Sequence, residues 1–164
     1  MKFRHSTLIT LLGLLWCAVG GMLLIIGTRL FTAIVSYQVN PKQLLFMQGL
    51  SKRAGGIDQA AIVLIGIALV VGYMKGKYVL RKSCVRVVNR LFKLPNPAYL
   101  HQALSKWFYL LIGTMICLGI SLRVFGAPVD LRAVIDVAIG SALINGALTY
   151  FRFAVQAKAK TKKV

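Results

Sequence analysis

Few side chains in this 164-residue sequence can move a proton or hold a cation: it has no glutamate, three aspartates and two histidines. Asp136 is the only acid inside an apolar block, and a carboxylate is costly to bury in hydrocarbon, so it is a candidate polar site by default. If Pro128-Val129-Asp130 starts the last helix with Asp130 as N-cap, Asp136 lies about six residues, or ~9 Å, inside it and near an interface. Arg132, one turn earlier, and Arg123 are then partners for a structural ion pair, and a proton or ion site is the competing reading. Asn145 lies nine residues further on, which at about 100° per residue puts it on the opposite face of the helix. The two polar groups therefore form no site within one helix. Asn145 is expected to hydrogen-bond across to a neighbouring helix, or to approach an Asp of a second subunit.

Cations are far more numerous. Between Lys77 and Leu94, Leu80, Cys84, Val87, Val88, Leu91 and Leu94 follow helical spacing on one face, with Lys82, Arg86, Arg90 and Lys93 opposite. A helix of this kind lies in the headgroup plane, apolar face down, its cations toward anionic phosphates. Leu94-Pro95-Asn96-Pro97 then ends it. Lys82, Arg86, Arg90 and Lys93 are thus the candidate lipid-headgroup contacts, against the simpler reading of a connector that obeys the positive-inside rule. A net charge of +18 would otherwise suggest nucleic acid, but these cations flank apolar segments, so no nucleic-acid partner is expected.

Catalytic, cofactor and metal motifs are not found. There is no phosphate-cradling glycine loop with Lys-Ser/Thr, no HExxH, and no Ser, His and acid set at one membrane depth. His5 and His101 read as solvated interface residues. Cys17, Cys84 and Cys117 include no CxxC pair and are expected to be packing residues. The sequence implies no cofactor and no enzyme activity.

The elements that position these groups are four apolar blocks, Leu8 to Thr28, Gln59 to Met74, Trp107 to Leu122 and Ala133 to Phe151. They lack the polar stripe of a water-soluble helix and match the ~20 residues that cross hydrocarbon. The spacing predicts spans over about 8–28, 58–75, 107–124 and 132–152, as one membrane domain covering 1–164. The two middle blocks are short, and Lys75, Lys106 and Arg123 can extend them by snorkelling. The basic start and Ala18-Val19-Gly20 imitate a secretory signal, but the apolar run continues through Met22 to Gly27, so an uncleaved span is expected. With the N-terminus inside, 15 Lys and Arg fall on the inner side and 6 on the outer, which places both termini in the cytoplasm. Trp107, Tyr109, Tyr73, Tyr150 and Phe151 fall where an aromatic belt is expected.

Ser36 to Gly56 reads as an outer connection with a short helix starting near Asn40-Pro41 and ending at Lys52-Arg53-Ala54-Gly55-Gly56. R-x-F-x-A-x-V after the first and third blocks, each followed by Ile-Asp-x-Ala, suggests two tandem helical hairpins. Small residues at four-residue spacing, Gly13, Cys17 and Gly21, Gly113, Cys117 and Ser121, and Ala138, Ala142 and Gly146, are expected to mark where spans touch.

These observations predict an all-α integral membrane protein of four transmembrane helices, with a basic amphipathic interfacial helix between spans 2 and 3. The expected setting is a bacterial cytoplasmic (inner) membrane. The expected role is a non-enzymatic accessory or scaffold component, contacting anionic membrane lipids and forming a homo-oligomer or part of a larger complex. The alternative is a small oligomeric ion or solute transporter or channel that uses Asp136 and Asn145.

Overall fold

The computed structural model describes residues 2–3, 5–36, 44, 46–92, 98–99 and 106–161. Its architecture is all-helical: α1 (His5–Val35), α2 (Phe46–Ala54), α3 (Ile57–Lys75), a π-helical turn (Gly76–Leu80), α4 (Arg81–Phe92), α5 (Lys106–Val124) and α6 (Val129–Thr161). Among the described residues the one extended pairing is two residues long on each side, Lys2–Phe3 antiparallel to Ala98–Tyr99. Among the described residues three helices are long and apolar enough to cross a membrane, Ser6–Val35, Ile57–Arg90 and Val129–Gln156. The described apolar part of α5, Gly113–Val124, is shorter.

The long helices meet where side chains vanish. On α1, Gly13, Gly20 and Gly27 recur every seven residues and face Tyr150 and Phe151, Gly140 and Leu143, then Ala133 and Val137 of α6. The ascending numbers on one helix meet descending numbers on the other, so α1 and α6 are antiparallel. A Cβ on Gly20 would stand 2.9 Å from the Gly140 carbonyl oxygen, and one on Gly140 2.8 Å from that of Gly20. Against α3 the sense reverses: Gly72 meets Ala138 and Ser141, and Gly76 meets Ala142 and Asn145, so α3 and α6 run parallel. Ser141 Oγ donates across this contact to the Leu69 carbonyl oxygen at 3.3 Å.

Apolar side chains fill the space on either side of this glycine waist. One cluster gathers Leu8, Leu12, Trp16, Cys84, Val88, Leu143 and Tyr150, and the other Phe31, Ile34, Leu44, Met47, Ala61 and Val137. The second cluster takes in α2, which packs against the ends of α1, α3 and α6. The first turns Tyr150 inward, where its hydroxyl is partnered by Trp16 and Cys84, so Tyr150 is a core residue instead of part of an aromatic belt. Tyr73 and Tyr78 are exposed as a belt requires. Trp107 and Tyr109 lie outside the residues whose side chains are described.

Three further expectations are corrected by the packing. The three small-residue ridges differ: Ala138, Ala142 and Gly146 all touch the neighbouring helix and Gly13 and Cys17 are packed, whereas Gly21 and Gly113 have open space around them and Cys117 is exposed. The heptad of glycines, not the four-residue spacing, matches an antiparallel neighbour that α1 follows along its length. The tandem hairpins have no counterpart in the packing either, because the closest partner of α1 is α6. Among the described residues α5 touches the bundle sparsely, with Met115 against the first cluster and Ile116, Leu118 and Ile120 exposed.

The basic segment is the third correction. It is not a separate helix laid flat between two spans, since the π-helical turn joins α3 to α4 without a break. Its apolar face is covered by protein, with Cys84 and Val88 buried and the Cys84 thiol 3.7 Å from the Gly146 carbonyl oxygen.

Candidate functional site

Ala68, Gly72, Gly76, Leu80, Cys84 and Val88 step along α3 and α4 every four residues and all turn toward α6 or the core around it. In an ideal α-helix such a row drifts by about 40° per step and would leave its partner after a few turns. The π-helical turn is wider, and its Arg81 N–H donates to the Gly76 carbonyl oxygen five residues back. This extra width subtracts from the drift, so the small and apolar row stays against α6 for its whole length.

The residues left outside form the site. Lys77, Tyr78, Arg81, Lys82, Val85 and Arg86 line one shallow, open cleft of about 480 Å³. The Lys77 ammonium stands 6.0 Å from the centre of the Tyr78 ring, at the limit of a cation–π contact. Lys77, Arg81, Lys82 and Arg86 are all exposed. No carboxylate occurs between Asp58 and Asp130 in the sequence, and Asp58, Asp130 and Asp136 all belong to the starting ends of the parallel helices α3 and α6. The cleft lies about 20 residues, or ~30 Å, from the start of α3. Four cations thus share a cleft with no acidic side chain beside it among the described residues, at the opposite end from Asp58, Asp130 and Asp136.

Of the expected headgroup contacts, Lys82 and Arg86 line this cleft. Arg90 is exposed about one turn beyond Arg86, and Lys93 lies outside the described residues. Lys77, Arg81, Tyr78 and Val85 were missed because the sequence reading centred the polar face on Arg86 and Arg90. Lys77 lies about 140° from Lys82 on an ideal wheel, and only the pattern of two adjacent four-residue rows, 77-81-85 and 78-82-86, hinted at the arrangement.

Compared with described protein families, with curated proteins and with solved structures, the chain matches none.

Asp136 and Asn145 are not brought together. Asp136 is half-buried, under the influence of the Arg132 charge one turn earlier, and makes no hydrogen bond or close ion pair among the described residues. Asn145 corrects an expectation: its Nδ2 donates to the Ser141 carbonyl oxygen of its own helix at 3.1 Å. Gly76 fills the space against its Cβ, which leaves no room for a reaching amide, and Ser141 takes the bridging role instead. Among the described residues no three His, Cys or Asp side chains gather as metal ligands would.

Asp130 departs from the N-cap role. It is fully buried, its Oδ1 accepts from the Leu131 N–H at 2.8 Å, and its Oδ2 accepts from Phe46 and Met47 N–H at 2.5 and 3.0 Å. The carboxylate therefore caps the start of α2, a helix more than 80 positions earlier in the chain. The first N–H groups of a helix have no partner of their own, and an anion there is doubly favoured by hydrogen bonds and by the helix dipole.

Proposed function

We propose that this chain is a four-span protein of a cytoplasmic-type membrane, with both termini inside, that serves as a non-enzymatic accessory or scaffold component anchored to anionic lipid at its basic end. The parallel run of α3 and α6 carries the topology. α4 ends beyond the basic end and α6 begins at the end where Asp130 holds α2, which supports a return crossing between them. α5, with 19 residues and a length of ~28 Å, is the apolar helix available for that return. The pairing of Lys2–Phe3 with Ala98–Tyr99 supports placing the N-terminus and the connection after α4 on one side. The 15 to 6 division of Lys and Arg supports making that side the cytoplasm.

Single cysteines at Lys52, Asn89 and Gly126, in a background without native cysteines, test this. Asn89→Cys should label from the inside of sealed vesicles, and Lys52→Cys and Gly126→Cys from the outside. Gly126→Cys labelling on the same side as Asn89→Cys would remove the crossing assigned to α5.

A scaffold role fits a bundle whose midsection is closed by backbone contact, because glycines of α1 and α3 seat against α6 where a solute path would run. Asp136, half-buried and unpartnered among the described residues, favours a second reading as an oligomeric ion or solute transporter. Asp136→Asn separates the two. For a scaffold, thermal unfolding in detergent should shift by no more than ~1 kcal/mol, because only a partly solvated, longer-range attraction to Arg132 is lost, with no change in vesicle ion flux. Loss of a proton- or cation-coupled flux in the folded variant would establish the transporter.

A further inference from the structure

We infer that the cleft at the junction of α3 and α4 is a specific site for a membrane lipid whose headgroup carries two phosphates. This rests on the reading of the basic end as the headgroup-facing end of the bundle. Four observations lead to it.

Charge comes first. Lys77, Arg81, Lys82 and Arg86 have no acid within reach, since all three carboxylates belong to the other end, so their counter-anion must come from outside the chain. The second observation is their pairing. Lys77 with Arg81 and Lys82 with Arg86 are two (i, i+4) pairs, and residues so spaced stand about 5–6 Å apart at their Cβ atoms. Each pair can bracket one phosphate, with Arg supplying a planar fork and Lys a mobile point charge. Two such pairs side by side match two phosphates better than one.

The remaining observations concern the lining and the place. Tyr78 and Val85 give the cleft an apolar component that a free phosphate in water does not use but a glycerol backbone and the first acyl carbons do. Tyr73, Met74 and Tyr78 are exposed along the approach from α3, in continuity with its lipid-facing surface. The cleft also lies ~30 Å from the start of α3, the thickness of a hydrocarbon core. The openness of the cleft suits a ligand that enters sideways from a leaflet.

The test uses the full chain in nanodiscs of phosphatidylcholine doped with either phosphatidylglycerol or cardiolipin at equal total negative charge, with retained lipid read by native mass spectrometry. Cardiolipin should be retained roughly tenfold over phosphatidylglycerol, and either double variant, Lys77→Gln with Arg81→Gln or Lys82→Gln with Arg86→Gln, should remove that preference. Arg81→Lys with Arg86→Lys should keep a measurable part of it, and an equal loss of cations at the other end, Arg29→Gln with Lys52→Gln, should leave it intact. Unchanged melting temperatures are expected throughout because these side chains are exposed. Equal retention of the two lipids at matched charge, or loss of preference in the Arg29 and Lys52 variant, would overturn the assignment. Displacement of bound cardiolipin by micromolar pyrophosphate would instead make the ligand a soluble polyphosphate and refute the lipid. Lipid preference in nanodiscs does not depend on which way the chain inserts in a cell, so it can fail while the cysteine-labelling result holds, or the reverse.

Discussion

An alanine at position 72 is expected to part α3 from α6. Its methyl group would clash with the Ala138 carbonyl oxygen and stand 2.9 Å from Ser141 Cβ, and the first of these is backbone, which cannot rotate away. One helix must move outward by about an ångström, and overpacking of this kind costs roughly 1–3 kcal/mol. The shift also lengthens the Ser141 to Leu69 hydrogen bond, a contact worth about 0.6 kcal/mol on average between membrane helices. Gly72→Ala should therefore lower stability by about 2–3 kcal/mol, read from unfolding in mixed detergent micelles. The control is Gly66→Ala, on the same helix, where a new methyl meets nothing within 4 Å. There the gain in helix propensity should leave stability unchanged or raise it by up to ~1 kcal/mol. Equal losses at the two positions would mean that α3 does not seat on α6 through Gly72.

Asp130→Ala should release α2. The carboxylate accepts three backbone N–H groups, two of them from the unpartnered first turn of α2, and it is wholly withdrawn from solvent. Removing it leaves buried donors without acceptors, at about 1–3 kcal/mol for the group, and also removes the anion that the α2 dipole favours. Asp130→Asn should behave much the same, because the amide turns one accepting oxygen into a donor facing other donors. The readout is local. Met47 is 1% exposed in the intact fold, so a cysteine placed there should resist maleimide in the parent and react at least about tenfold faster beside Asp130→Asn, the factor that ~1.4 kcal/mol of local opening provides. The same acceleration should be absent beside Asp136→Asn. Unchanged protection of position 47 in both Asp130 variants would show that side-chain packing of Leu44 and Met47 alone holds α2.

These two sites mark where the sequence could be read and where it could not. Length and apolarity revealed the long helices, because a run without a polar stripe has few ways to fold other than in a membrane or a deep core. The start of α6 near Pro128-Val129-Asp130 was legible as well: Gly126 takes a φ of 64°, Ala127 N–H bonds to the Leu122 carbonyl oxygen, and Pro128 immediately precedes the first residue of the helix. The partnership of helices was not legible. Which glycine of α1 faces α6 depends on a seven-residue register that competes with a four-residue one in the same segment, and only the neighbour decides between them. Asp130 looked like the cap of the helix it begins, since nothing in the chain near it points to Phe46. The basic cleft was half legible, as charges on a helix, but the sequence carries no cue for the π-helical turn that unites Lys77 and Arg81 with Lys82 and Arg86.

The backbone contact of Gly20 with Gly140 has a mechanical consequence. Side chains in the two apolar clusters can change rotamer to absorb a small displacement, but two peptide groups in van der Waals contact have no such freedom. The bundle is therefore stiffest at its middle and most yielding toward its ends. In a bilayer thinner or thicker than the one it fits, α1 and α6 respond by tilting about that fixed crossing instead of sliding past each other, so the strain of mismatch is delivered to the two ends. One of those ends holds α2 through the buried carboxylate of Asp130, and the other carries the cations, so membrane thickness is felt at both.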